Sequence, residues 1–155
     1  MKPPMNSQEF AGLIQEFGDR VGLPSLGGTG DAVAFEIQGV RLHLSRTDHG
    51  ELALWSVLNL PTNDPGVFRR VCEVNMLLAL SGEPTITYNR DTQTFVLVRV
   101  EDASRRDGAW LEARIAVFLA AAAIADRIGV PLAETSTSAI SSDIKPEEAM
   151  FTFRA

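Results

Sequence analysis

The side chains best suited to metal binding or nucleophilic catalysis are few and scattered in this 155-residue sequence. It contains two histidines, His43 and His49, and one cysteine, Cys72. The residues around either histidine do not form a metal-ligand pattern, and no G-x-S-x-G motif supplies a serine nucleophile. A lone cysteine among apolar neighbours is typical of a small buried side chain, so we predict that Cys72 lies in the core.

The acidic residues also lack the arrangement that acid–base catalysis needs. Glu101 and Asp102 are adjacent, and so are Glu147 and Glu148. Side chains of sequence neighbours do not face each other as a catalytic pair must, so we interpret both pairs as solvated charges. The sequence therefore predicts a protein that is not an enzyme, with no catalytic residues and no metal site.

A glycine-rich stretch, GLPSLGGTG at residues 22–30, could at first be taken for a phosphate-binding loop. Such loops run from a strand through glycines into a helix, whose N-terminal N–H groups meet the anion. Here an amphipathic helix precedes the glycines, and the stretch contains no lysine. Gly27, Gly28 and Gly30 are therefore predicted to form a connection.

The charge balance disfavours nucleic acid as a partner. The formal net charge is −6, and the basic pairs Arg69-Arg70 and Arg105-Arg106 are isolated, whereas phosphate binding needs clustered Lys and Arg. The first residues lack the apolar core of a signal peptide, and the apolar run at residues 115–125 is shorter than the ~20 residues that cross a bilayer. The sequence predicts a soluble, cytoplasmic protein without membrane insertion.

The first predicted element is an amphipathic helix that follows an N-cap at Asn6 or Ser7 and ends near Gly22. A β-hairpin then turns at Gln38-Gly39, a register that pairs Ile37 with Val40. The apolar face of the helix contains Phe10, Leu13, Ile14, Phe17 and Val21, and that of the hairpin contains Val33, Phe35, Ile37, Val40, Leu42 and Leu44.

The next segment, ELALWSVLNLP, is apolar at both alternating sets of positions, which predicts a central strand covered on both faces. Asp64 and Pro65 then mark the start of a second helix. The C-terminal half of that helix is apolar nearly all round, and one sheet cannot cover both its sides. We interpret it as an isologous dimer interface, although it could be a core helix between the sheet and a third helix. The predicted interface residues are Val71, Val74, Asn75, Met76 and Leu78.

The remaining elements complete an α+β order of helix, three strands, helix, two strands and helix, with an antiparallel twisted sheet. A second hairpin is predicted around residues 89–92, and a long Ala-rich helix follows. Past Pro131 the composition becomes polar, which predicts one domain at residues 1–130 and a flexible tail at residues 131–155.

Several motifs, in order, resemble the class I type III secretion chaperones, also called the Tir-chaperone or CesT-like family. FAGLIQEFGDRVGLPSL is similar to the family's first helix breaking at Gly-Leu-Pro, and FEIQGVRLHL to its first hairpin. ELALWSVLNLP matches its third strand ending at Leu-Pro, and VFRRVCEVNMLLAL its second helix with a central asparagine, Asn75. The resemblance covers roughly residues 7–130.

The resemblance implies a cytoplasmic bacterial homodimer that uses no cofactor. It would bind the non-globular N-terminal segment of one or more secreted effectors and keep it soluble and secretion-competent. The secretion ATPase or export apparatus could be a further partner. An extended segment can pair with a sheet edge and place apolar side chains in grooves, for which the candidate effector-binding residues are Leu13, Phe17, Phe35 and Leu42, unless these are ordinary core.

A second hypothesis stays open at this level. A stand-alone regulatory or small-molecule-sensing α+β domain could have the same order of elements, with a pocket between helix and sheet for a ligand. The two hypotheses differ in the partner, because the chaperone requires a dimer and an unfolded polypeptide.

Overall fold

The computed structural model describes residues 3–26 and 30–129 and confirms the predicted α+β order. Short 3-10 turns follow the first and third helices, at Pro24–Leu26 and Arg127–Gly129. Gly27, Gly28 and the predicted tail at residues 131–155 lie outside the described residues. The regular elements are α1 (Ser7–Val21), β1 (Ala32–Ile37), β2 (Val40–Arg46), β3 (Leu52–Leu58), α2 (Pro65–Leu80), β4 (Thr85–Asn89), β5 (Thr94–Glu101) and α3 (Gly108–Asp126).

The helices begin and end at the residues that their sequences indicate. Asn6 forms a capping box at the start of α1, and Gly22 ends that helix in the left-handed conformation at φ 76°. Asp64 caps α2, with Pro65 at the first helical position, and Asp107 caps α3. Local side-chain hydrogen bonds therefore set the three helix starts, and the backbone conformation of Gly22 sets the end of α1.

The five strands form one antiparallel sheet in the order β1-β2-β3-β5-β4, which leaves β1 and β4 at the two edges. The first hairpin has the predicted register, in which Ile37 pairs with Val40 and Glu36 with Arg41. Gly39 has a φ of 76°, the left-handed conformation that a two-residue hairpin turn requires.

One face of the sheet, the inner face, joins the buried residues of the helices in a single core. α1 and α3 approach closely there because glycine stands at their contact. A Cβ on Gly108 would lie 2.8 Å from backbone atoms of Glu16 and Phe17. The buried residues of the inner face are Leu42, Leu44, Leu52, Leu54, Ser56, Leu58, Ile86, Phe95 and Leu97.

β3 lies in the middle of the sheet as predicted, but the prediction that both its faces are covered is wrong. Leu52 and Leu54 are buried on the inner face, whereas Val57 on the opposite, outer face is 52% exposed. To cover both faces of β3, other elements would have to pack on both sides of the sheet. The core of the described chain lies on one side only.

Cys72 is exposed on α2, so the prediction that it lies in the core is wrong. The stripe that enters the core consists of Val67, Val71 and Leu78. Cys72 follows Val71 by one residue and therefore points about 100° away around the helix axis.

The third helix is long and apolar enough, by length and composition alone, to cross a membrane over Gly108–Gly129, with a mean hydropathy of 1.6. The same composition suits a core helix, and Leu111, Ile115 and Phe118 belong to the core of the described chain. Its alanines are divided between two sides: Ala121, Ala122 and Ala125 are buried, and Ala116, Ala120 and Ala123 are exposed.

Candidate functional site

Most of the four predicted effector-binding residues belong to the core. Leu13, Phe17 and Leu42 are buried, while Phe35 on β1 is half-buried. The rings of Phe35 and Phe17 are in contact, with centroids 5.7 Å apart. Of this predicted set, Phe35 therefore offers the accessible apolar surface.

The β1 edge is the feature that these residues surround. Ile37 and Val40 flank the hairpin turn and pair with each other, and Arg46 donates its backbone N–H to the Asp31 carbonyl at 2.8 Å. In an antiparallel pair of strands, every second residue is hydrogen-bonded to the partner strand. Every second residue from Asp31 to Ile37 therefore directs its backbone N–H and C=O groups towards β2. The alternate residues present their N–H and C=O groups outward, and nothing in the described part of the chain covers them. These outward residues are Ala32, Ala34 and Glu36.

An apolar groove of about 400 Å³ adjoins the turn end of β1. α1 contributes Phe17 and Val21 to it, β1 contributes Ile37, and α3 contributes Ile115 and Leu119. If a strand were added beside β1, every second side chain of that strand would lie on the inner face of the sheet, next to this groove. The sequence patterns of α1 and α3 did not reveal the groove, because it forms only where the two helices meet.

An ion pair fastens β1 to β2 at the other end of the edge. Arg46 donates to both carboxylate oxygens of Asp31, at 2.9 Å and 2.7 Å. The hydrogen bond from Arg46, followed by that from Ser7, lowers the pKa of Asp31 to about 2. The carboxylate is therefore ionised at physiological pH, and the ion pair joins the residue before β1 to the last residue of β2.

A second apolar surface lies on α2. Met76 is 64% exposed, Leu77 61% and Leu80 82%. We name these three residues the α2 face. Of the predicted interface residues, Met76 lies on the α2 face and Val74 is half-buried beside it, whereas Val71 and Leu78 are already buried within the chain, each about 5–6% exposed.

Asn75, the fifth predicted interface residue, is engaged within the chain. Its side-chain amide accepts a hydrogen bond from Ile86 N–H and donates one to Ile86 C=O, each at 2.7 Å. The contact joins α2 to the edge strand β4. Sequence reasoning missed it because the two residues belong to different elements.

The outer face of the sheet carries an aromatic pair. His43 stacks on Trp55 with ring centroids 3.8 Å apart and an interplanar angle of 7°. Partial burial, followed by the charge of Arg41, lowers the pKa of His43 from its ordinary value and so favours the neutral imidazole.

Glu101 is not the solvated charge that its sequence context predicted. It forms ion pairs with Arg99 and with Arg114, and its Oε2 lies 3.4 Å from Arg114 Nε. The Glu101 side chain is only 15% exposed to solvent. The cluster is an ion-pair network between β5 and α3, and within residues 3–26 and 30–129 no three His, Cys, Asp or Glu side chains could hold a metal.

Comparisons with known proteins match most of the chain. The model of the Tir chaperone protein (CesT) family matches residues 12–125. No curated protein is similar enough to be matched.

Solved structures share the fold at low sequence identity. The ExsC-ExsE complex is 21% identical with a TM-score of 0.68, covering 83% of this chain and 98% of that chain. The HopA1-SchA chaperone-effector complex is 14% identical with a TM-score of 0.65, covering 80% and 99%. The Yersinia pestis type III secretion chaperone SycH, bound to a fragment of YscM2, is 19% identical with a TM-score of 0.54, covering 74% and 98%. The chain therefore belongs to the Tir chaperone protein (CesT) family of type III secretion chaperones.

Proposed function

We propose that this chain is a homodimeric chaperone that binds the non-globular N-terminal segment of one or more secreted effectors in the bacterial cytoplasm. It keeps that segment soluble and competent for secretion, with the export apparatus or its ATPase as the next partner. The family and the fold indicate a binding protein rather than an enzyme, and two of the similar structures are described as a chaperone with an effector or a protein fragment. The observation that carries the proposal is the open β1 edge beside an apolar groove.

The β1 edge suits an extended polypeptide. Its outward residues Ala32, Ala34 and Glu36 offer three N–H and three C=O groups, which a strand without its own fold can satisfy. Lysine, proline and bulges commonly protect edge strands from such pairing, and β1 (AVAFEI) contains neither lysine nor proline.

The neighbouring apolar surface gives such a strand its preference for apolar residues. Alternate side chains of an added strand would lie against Phe35 and the groove between α1 and α3. Leu13, Phe17 and Leu42 support this surface from beneath. A segment with apolar residues at alternate positions therefore gains both backbone hydrogen bonds and burial.

The α2 face is the proposed dimer contact. Three large apolar side chains exposed on one helix form a surface that soluble monomers rarely leave open, and an isologous contact would cover it with the same residues of a second copy. Met76 and Val74 contribute directly, Val71 and Leu78 support the helix from the core, and Asn75 fixes it to β4. The chaperone domain is proposed to span residues 1–130.

The proposal is tested by coexpressing the tagged chain with N-terminal segments of secreted proteins encoded beside it and measuring their affinity. Ala34→Pro removes an outward N–H without breaking a bond to β2. We expect a loss of at least about tenfold in affinity, which corresponds to ~1.4 kcal/mol, while Ala34→Val keeps the N–H and binds as the wild type does. Equal binding by Ala34→Pro would refute strand addition at β1, and wild-type protein that binds none of these segments would refute the chaperone function.

A further inference from the structure

The two edges of the sheet differ: the backbone groups of β1 are open to a partner strand, whereas the edge at β4 is closed. The Asn75 amide makes two hydrogen bonds of 2.7 Å to the N–H and C=O of Ile86. A neighbouring antiparallel strand makes the same two bonds to a residue that faces it. One side chain of α2 thus occupies the place of a strand residue.

Little of the remaining β4 edge can accept a strand. Because Ile86 faces outward, alternation places Pro84 and Tyr88 on the same side. Pro84 has no N–H to donate, and it is buried. Among residues 84–88, Tyr88 alone keeps both outward groups, so β4 offers one pairing residue where β1 offers three.

We propose that Asn75, together with Pro84, restricts strand addition to β1, so that each chain accepts one extended partner segment at one edge. This inference rests on the proposed function, in which the partner is an extended polypeptide. Asn75 is in this sense a residue that determines specificity, because it decides which edge binds.

The same closure has a consequence for copies of the chain. If both edges were open, β1 of one copy could pair with β4 of the next, and such a head-to-tail contact grows without closing. With β4 closed by Asn75, that growth is blocked while β1 stays available to a partner. An open β1 edge is therefore compatible with a chain that does not polymerise.

The first test uses wild-type protein and hydrogen exchange measured by NMR. The Ile86 and Tyr88 amides both face the edge, but only that of Ile86 is bonded to Asn75. We expect the Ile86 amide to exchange several-fold more slowly than the Tyr88 amide, and Asn75→Ala to remove that difference while the Thr87 amide, which faces β5, is unchanged. Equal exchange of Ile86 and Tyr88 in the wild type would overturn the proposal, whatever the variant does.

The second test measures the size of Asn75→Ala by sedimentation velocity over a range of concentrations, with circular dichroism to confirm folding. We expect species larger than the wild-type particle that grow with concentration, and we expect Ala34→Pro in the same chain to abolish them, since it blocks the β1 partner edge. A wild-type size distribution for folded Asn75→Ala, or large species that persist with Ala34→Pro, would contradict the inference. If Asn75→Ala does not fold, the exchange measurement on the wild type decides.

These measurements separate the inference from the proposed function. Neither uses an effector, so a chain that binds no effector segment would refute the function and leave the roles of Asn75 and Pro84 at the β4 edge measurable. Conversely, effector binding that depends on Ala34 would support the function even if the Ile86 amide were unprotected.

Discussion

The substitution Met76→Asp tests the proposed dimer most directly. Met76 is 64% exposed in the single chain, so aspartate there meets water and breaks no core contact. In an isolated chain, only the lower helix propensity of aspartate counts, up to about 0.7 kcal/mol. If a second copy covers the α2 face, the same carboxylate is buried in an apolar contact.

The magnitude follows from the symmetry of an isologous contact. Full burial of a methionine side chain contributes about 1.5–3 kcal/mol, and association could bury at most the 64% of Met76 that is exposed in the single chain, which amounts to about 1–2 kcal/mol. A two-fold interface contains Met76 twice, so its removal costs roughly 2–4 kcal/mol of association free energy. Two buried, unpaired carboxylates add to that loss. Even the lower figure corresponds to a weakening of about thirtyfold in the dimer dissociation constant.

The assay is light scattering after size exclusion, together with thermal unfolding. We expect wild-type protein near twice the chain mass of 16.8 kDa and Met76→Asp near that mass itself. Ala113→Asp adds the same charge at an exposed position of α3 and should remain dimeric. A Met76→Asp protein that stays dimeric at micromolar concentration would refute the α2 face as the interface, and a monomeric wild type would refute the dimer itself.

Two further predictions concern the fold that presents these surfaces. The pKa of Asp31 is lowered from 3.8 to about 2, mainly by the hydrogen bond from Arg46. The pair therefore stabilises the folded chain above pH ~4, and this stabilisation is lost as the pH falls through 2. We expect Asp31→Asn to unfold at a lower urea concentration than the wild type at pH ~5, and the difference between the two proteins to shrink towards pH 2. Gly108→Ala places a Cβ 2.8 Å from the backbone at Phe17, so we expect it to lower the free energy of unfolding, measured by urea titration, by about 1–3 kcal/mol. The control Gly12→Ala meets no atom within 4 Å and should raise the free energy of unfolding by about 0.5–1 kcal/mol. An equal response of the two variants would show that α1 and α3 do not meet closely.

Local patterns were sufficient for the elements and for one register. The turn at Gly39 and the alternation of apolar residues predicted that Ile37 pairs with Val40, and Asn6 and Asp64 marked two helix starts. These features depend on interactions within a few residues, which the sequence displays directly. The same reasoning did not separate the core residues Val71 and Leu78 from the exposed Met76, because all three were predicted to lie at one interface.

The candidate site was harder to predict, because it depends on which layers cover which residues. Leu13 and Leu42 were candidates for a groove, but the structure buries them, since α1 lies against the inner face of the sheet. Phe17 does line the groove, although its own side chain is buried. Cys72 and Val57 were expected to be covered, and both are exposed. An apolar residue has the same sequence signal in a core, in a groove and at an interface.

The amino-acid sequence by itself determined the order of the elements, both ends of α1 and the start of α2, the register of the first hairpin and the resemblance to a chaperone family. Only the tertiary structure decided which sheet edges are open. β1 is open because it is the outermost strand and no described element covers it, while β4 is closed because α2 brings Asn75 to Ile86, 11 residues further along the chain. Backbone hydrogen bonds at an edge depend on what stands beside it in space, and that arrangement follows from the packing of the whole chain.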